Sequence, residues 1–254
     1  MFLKVMKLIL KIFFEQKDNR MSKLHIYLFL TIFGLQHLSA QDNLTEQYAA
    51  GYMDAVSRYA ALFSGNRYQP LGVSTQNHQY FKEEEYTTGR LSYGGIVYPG
   101  ISLRWDLYRD ELAIFTPSNF TIVLKNKNLD FAEMYGYQII YLYPNGLAGC
   151  PSSGNYIRLY SGEHLLLLEK PANVLLTKDE GNRRYYFFSL STTFYLQKNG
   201  AYYKIKSRRT LLKALGTHRK ELKRFIRAND LIYRDDAEKT VLEVVKEYEK
   251  LSRR

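Results

Sequence analysis

Thr193-Phe194-Tyr195-Leu196-Gln197-Lys198-Asn199-Gly200-Ala201-Tyr202-Tyr203-Lys204-Ile205-Lys206 is the stretch whose reading decides the fold. Two aromatic-rich runs flank Asn199-Gly200, and Asn-Gly supplies the positive-φ backbone of a two-residue hairpin turn. The segment therefore reads as a pair of antiparallel strands.

Working outward, the same pattern of short runs between turn residues holds from about Tyr68 to Lys206. Residues 91–98, 102–108, 111–115, 120–125, 131–134, 137–143, 156–160, 164–170, 185–190, 193–197 and 202–206 read as strands. Turn signals separate them at Pro99-Gly100, Arg109-Asp110, Pro117-Ser118-Asn119, Asn126-Lys127-Asn128, Pro144-Asn145-Gly146 and Glu180-Gly181-Asn182. The abundance of Tyr and Phe suits strands, where broad side chains pack across a pleated surface. Helices bracket this region. Asn43 is placed to cap a first helix with the stripe Leu44, Tyr48, Tyr52, Val56, Tyr59 and Phe63, ended by Gly65. Beyond the strands, Ser207 caps residues 208–215, Thr217 caps residues 218–228, and a third helix covers residues 235–251. The expected fold is a β-rich α+β domain. It comprises an antiparallel β meander, open or barrel-like, with one N-terminal helix and two or three C-terminal helices.

The start of the chain reads as an address. Lys23 and His25 precede apolar residues 26–35, then Gln36-His37-Leu38-Ser39-Ala40 and the polar Gln41-Asp42-Asn43. That is the order of a secretory signal peptide cut after Ala40. The apolar run is half the roughly 20 residues that span a bilayer, so no transmembrane helix is expected in the mature chain. Residues 1–20 read as an extension ahead of a true start at Met21. Residues 1–40 are thus an N-terminal extension plus signal peptide, and residues 41–254 a single β-rich domain whose region 207–254 is helical. Removing residues 1–40 takes away six Lys/Arg and two Asp/Glu, leaving 30 basic and 23 acidic side chains.

Few motifs of chemistry stand out. The three histidines after Ala40 are His78, His164 and His218, none within four residues of another, and no paired-Cys spacing for zinc exists. No nucleophile elbow, P-loop or dinucleotide fingerprint occurs, and no cofactor is expected. Cys150 is the one cysteine, so no disulfide framework exists. Its turn, Gly149-Cys150-Pro151-Ser152-Ser153-Gly154, is the most nucleophile-like stretch, with His164 as the candidate base. An idle thiol in a surface loop is the simpler reading. Asp106, in Arg104-Trp105-Asp106, is the candidate carboxylate of a glycan-active site, and Trp105 the candidate stacking platform. Their bland counterparts are an Asp106–Arg104 pair and a core tryptophan. Residues 204–227 hold ten Lys/Arg against one acid, Glu221, with Lys220 and Arg224 on one helical face. Export argues against a nucleic-acid target, which leaves anionic lipid or surface polysaccharide as partners, beside a plain solvated face.

One resemblance runs through these motifs. Residues 93–98 (Tyr-Gly-Gly-Ile-Val-Tyr), Leu103-Arg104-Trp105-Asp106, the strand around Phe131, Gly154-Asn155-Tyr156 and Leu159-Tyr160-Ser161-Gly162 resemble a group of uncharacterised exported proteins of Bacteroidota. Tyr202-Tyr203, Arg208, Leu211, Leu212 and the basic helix after them are similar to the same group, so the likeness covers residues 59–251. It implies a Gram-negative envelope, periplasmic or outer-membrane associated, and carries no activity with it. The functional expectation is a non-enzymatic binding or scaffold component of that envelope, with another envelope protein, a glycan or an anionic lipid surface as partner. A polysaccharide-active hydrolase using carboxylates and an anionic membrane-surface binder acting through the basic helices are the alternatives.

Overall fold

The structure, a computed structural model, describes residues 59–253 and, before them, residues 48, 49 and 53. The signal peptide and most of the helix expected from Asn43 lie outside the described residues; residues 48, 49, 53 and 59–62 are helical.

The strands are β1 (Asn66–Arg67), β2 (Thr87–Tyr93), β3 (Ile96–Asp106), β4 (Glu111–Phe115), β5 (Thr121–Val123), β6 (Leu129–Met134), β7 (Tyr137–Leu142), β8 (Gly154–Ser161), β9 (Leu165–Glu180), β10 (Arg183–Lys198) and β11 (Ala201–Ile205). They form one antiparallel sheet in the order β1-β5-β4-β3-β2-β6-β7-β8-β9-β10-β11, open at β1 and β11. The expected β-rich meander with C-terminal helices is what the chain forms.

Several strand boundaries differ from the sequence reading, β9 most of all in running on from Lys170 to Glu180, and three of the differences have a local reason. Residues 91–98 are not one strand: Gly94 and Gly95, at φ +62° and +77°, make a two-residue turn between β2 and β3. Successive positive φ is cheap only without a Cβ, so Gly-Gly turned the chain where Pro99-Gly100 was expected to. Pro99-Gly100 instead lies inside β3, at the register shift where Arg90 pairs with Pro99 and Gly89 with Ile101, a β-bulge. Residues 185–190 and 193–197 belong to one sixteen-residue strand, β10, paired along its whole length with β9. The polar Ser191 and Thr192 left between those two runs are exposed positions in that ladder.

The far half of the β9–β10 hairpin, residues 172–191, pairs only with itself. Such a ribbon is marginal alone, and the loop before β2 supports it. Asn77 acts as a substitute strand, donating from Nδ2 to the Phe188 carbonyl (2.9 Å) and accepting at Oδ1 from the Phe188 amide (2.7 Å). Gln76 N–H donates to the Tyr186 carbonyl (2.9 Å).

A second contact bends the sheet toward itself. Asp110, in the β3–β4 turn, accepts from Lys170 Nζ (2.5 Å), the Asn155 amide (3.1 Å) and Trp105 Nε1 (3.3 Å). Lys170 also donates to the Asn155 carbonyl (2.8 Å) and sits 4.8 Å from the Tyr156 ring centre. Desolvation pushes the Lys170 ammonium below its ordinary pKa, with Asp110 opposing that shift. Gly154 permits this clasp: a Cβ there would lie 2.5 Å from Asp110 Oδ2 and 2.7 Å from Lys170 Nζ.

Three helices follow: α1 (Arg208–Leu215), α2 (Arg219–Ala228) and α3 (Ala237–Ser252). Ser207 and Thr210 form a capping box on α1. Thr217 does not cap α2; its hydroxyl bonds Tyr248 (3.1 Å), and His218 at φ +55° precedes the helix without a side-chain cap. Asp236 caps α3 by accepting from the Lys239 amide (2.8 Å). Apolar side chains Leu211, Leu212, Leu215, Leu222, Ile226, Val241, Val244 and Val245 are buried in one core cluster with Leu165, Leu167, Phe194, Leu196 and Ile205 of the sheet. Glu249 fixes α3 to the β8–β9 turn by accepting from the Glu163 amide (2.7 Å) and from the Tyr160 hydroxyl. A second cluster, around Leu91, Leu103, Trp105, Leu112 and Ile139, fills the β2–β8 half.

Candidate functional site

Cross-strand pairing places one row of inward side chains across eight strands. Tyr98 opposes Leu91, then Ala132, Ile139, Ile157, Glu169, Phe194 and Ile205 follow in register. All eight are buried. Glu169 is the one ionisable carboxylate in the row, seated where the cluster containing Ile157 gives way to the cluster containing Phe194. Its strand explains the position: Leu165, Leu167 and Glu169 share a face at period two. Packing alone would ask for an apolar residue there. A carboxylate in its place is the kind of local conflict that marks a functional position.

Glu169 is 6% exposed, and its Oε2 is buried with no hydrogen-bond partner. The residue lines a cleft of about 530 Å³ bounded by β10 (Thr192, Thr193), by Lys204 of β11 and Lys206 just after it, by Tyr233, and by the entry to α3 (Asp235, Asp236, Glu238). Burial pushes the Glu169 carboxyl up to about 7, with the Glu238 charge adding to the rise and Lys82 opposing it. Tyr137 on β7 donates to both carboxylate oxygens of Glu238 (3.1 and 3.2 Å). Burial, then Glu238, raises the Tyr137 hydroxyl to about 12, so it remains a donor. The Lys82 ammonium lies 5.1 Å from the Tyr137 ring centre. Two carboxylates thus meet at the cleft. One is held by a phenol at a helix N-terminus, where negative charge is favoured; the other has an unpaired buried oxygen.

The residues singled out from sequence do not converge there. Trp105 is fully buried against Phe81, ring centres 5.4 Å apart, so it is core and not a stacking platform. Asp106 is buried and engaged: Oδ2 accepts from the Tyr68 hydroxyl (2.7 Å), and Oδ1 accepts the amides of Tyr108 and Arg109 (both 2.9 Å). It does not pair with Arg104, whose guanidinium stacks on Tyr80 (4.0 Å) and Tyr86 (4.2 Å). Cys150 precedes β8, packed near Tyr156, Leu168 and Tyr202, whereas His164 follows β8 on the exposed turn, 3.6 Å from Glu163. The eight-residue strand between them spans roughly 25 Å at 3.3 Å per residue, which rules out a nucleophile–base pair.

Lys220 and Arg224 lie one turn apart on the exposed face of α2. All ten Lys/Arg of residues 204–227 are exposed, and none forms an ion pair among the described residues. The apolar side chains of α1 and α2 are buried, so the basic side chains of β11, α1 and α2 are left to solvent. Lys204 and Lys206 also stand at the rim of the Glu169 cleft. Among the described residues, no helix is long and apolar enough to cross a membrane.

The sequence reading missed Glu169, Tyr137 and Glu238. The available signal was Leu165-x-Leu167-x-Glu169, a carboxylate continuing an inward apolar alternation. The pairing of Glu169 with Glu238, sixty-nine positions later, needed the packing of α3 on the sheet. No family model, no curated protein and no solved structure matches the chain.

Proposed function

We propose that this protein is a non-enzymatic binding component of the bacterial envelope, exported and docked peripherally on an anionic lipid surface through the face of β11, α1 and α2. The observation that carries this reading is the set of ten exposed Lys/Arg in residues 204–227, which has one acidic neighbour in sequence and no ion pair among the described residues. Basic side chains near an anionic leaflet contribute about 1 kcal/mol each. Exposed Tyr203 and Ile232, on the segments flanking α1 and α2, add amphipathic contact suited to a headgroup layer. The apolar helix faces are committed to the core, so the attachment is electrostatic and reversible. The signal-peptide reading and the resemblance to exported envelope proteins support the compartment.

Vesicle co-sedimentation tests the reading. Vesicles with about 30% anionic phospholipid are expected to bind the protein, and neutral phosphatidylcholine vesicles are not. Raising the salt from about 0.05 M to about 0.5 M is expected to release it, because the screening length falls severalfold. The double charge reversal Lys220→Glu with Arg224→Glu is expected to weaken binding at least about thirtyfold without changing thermal stability. Binding indifferent to salt, to lipid charge or to these substitutions would remove the proposal, as would capture by a polyanionic glycan alone.

A further inference from the structure

We propose that the cleft between β9–β11 and the start of α3 is a binding site for a small molecule carrying a primary ammonium group, received by Glu169 and Glu238, with Lys204 and Lys206 taking an anionic group of the same molecule. No residue of α1 or α2 lines this cleft; of the ten basic residues of the docking face, Lys204 and Lys206 also stand at its rim.

The argument begins with the buried orphan oxygen. Glu169 is more than nine-tenths buried, and Oε2 has no donor. An unpaired buried carboxylate oxygen is costly, so an occupant that donates a hydrogen bond is favoured. The charges around it narrow the choice. Asp235, Asp236 and Glu238 from the α3 entry and Glu169 from β9 outnumber Lys204 and Lys206 from β11, with Lys82 and the Tyr137 hydroxyl also near. Asp236 accepts its cap bond, Glu238 accepts from Tyr137 and Asp235 is exposed to solvent, which leaves Glu169 as the buried acceptor without a donor. A neutral hydroxyl would supply a donor and leave the repulsion between Glu169 and Glu238 in place. A divalent metal would need a converging set of ligands, and no three His, Cys, Asp or Glu converge in that way among the described residues. An ammonium supplies three donors and a positive charge in a compact group, which answers both needs. The two lysines at the rim place positive charge beside the acidic floor, the pattern complementary to a zwitterion.

Binding an ammonium favours ionised Glu169, so uptake expels its proton. With the carboxyl poised at about 7, roughly half a proton per ligand is expected to be released at pH 7. The other titratable groups around Glu169 and its cleft are Glu238, Lys82, Tyr137, Tyr233, Asp235, Asp236, Lys204 and Lys206.

Calorimetry on the mature protein with phosphoethanolamine, run in two buffers of different ionisation enthalpy, reads both affinity and proton release. Phosphoethanolamine is expected to bind with proton release. Phosphocholine, which has no N–H, is expected to bind at least about tenfold more weakly. Glu169→Gln and Glu169→Leu are both expected to lose about tenfold or more in affinity and to abolish the proton release, and a melting curve of each confirms that it is folded. Lys204→Ala with Lys206→Ala is expected to weaken binding severalfold with proton release kept. Displacement of phosphoethanolamine by vesicles of phosphatidylethanolamine assigns the ammonium to a lipid headgroup; indifference to those vesicles assigns it to a free solute. Absence of phosphoethanolamine binding, equal binding of phosphocholine, wild-type affinity in both Glu169 variants, or preference for a guanidinium probe overturns the proposal. The Glu169 variants leave the docking face unaltered and the Lys220 and Arg224 reversals leave the cleft unaltered, so each test fails independently; only the Lys204 and Lys206 variant bears on both.

Discussion

Glu169→Leu is expected to raise the melting temperature at pH 8 by about 6–12 °C, from about 3 kcal/mol at 2–4 °C per kcal/mol for a domain of this size. A carboxyl whose folded pKa rises from the ordinary 4.5 to about 7 is held against its ionised form. The difference corresponds to about 3 kcal/mol at 1.36 kcal/mol per pKa unit. The sign follows from linkage. Folded Glu169 binds its proton more tightly than unfolded Glu169, so its contribution to stability is fully present below the unfolded value and is lost as the pH rises through 7. Wild type is therefore expected to gain on the leucine variant as the medium is acidified from about pH 8 to about pH 5, close to the unfolded value. Leucine also suits the row, since Ile157 and Phe194 are the cross-strand neighbours of this position. Thermal melts of both proteins at the two pH values check this. A variant that melts lower at pH 8, or a difference that does not grow with pH, would contradict it. A position where the apolar residue is more stable and the native one is a carboxylate is being kept for something other than stability.

Lys170→Met is expected to destabilise the fold by about 2–3 kcal/mol, less than the 3–5 kcal/mol for breaking a fully buried pair. The reduction reflects residual exposure, 18% for the Lys170 side chain and 29% for Asp110. Methionine fills the stem of the lysine yet leaves Asp110 without its cation, among Trp105, Asn155 and Gly154. The Asn155 carbonyl loses its ammonium donor as well. Adding Asp110→Asn to Lys170→Met is expected to recover about half of the loss, because the stranded charge and not the missing contact dominates. Chemical denaturation of the two single variants and the double variant gives the coupling. Additive losses would show that the clasp contributes nothing as a pair.

Legibility in the sequence followed the range of the interactions concerned. Features set within a few residues were readable: the Asn199-Gly200 hairpin, β4 from Glu111 to Phe115, and α1 after its Ser207 cap all lie where turn and cap chemistry puts them. Errors arose where two local rules competed. Pro99-Gly100 carries the composition of a turn, yet Gly94-Gly95 makes the turn and Pro99-Gly100 is absorbed as a bulge. Ser191 and Thr192 carry the composition of a break, yet β9 supplies partners through them. The candidate site was the least legible part, because its carboxylates come from a strand and a helix joined only by tertiary packing. Asp106 was conspicuous beside Trp105, but its oxygens are spent on the β3–β4 turn.

The strand order also has a kinetic side. Eight of its ten neighbouring pairs join strands consecutive in the chain, and only β2–β6 and β1–β5 do not. The molecule is thus two runs of hairpins, β2 to β5 and β6 to β11, meeting at one seam where Leu91 faces Ala132 across forty-one positions. Hairpins close over short loops and form early, whereas a distant pairing must first meet the entropy of closing its loop. The loop-closure cost of the sheet is therefore concentrated in two pairings, β2–β6 and, at the edge, β1–β5. Within each block every neighbouring pair is a hairpin or short connection, so it is at the seam that the two blocks come to depend on each other.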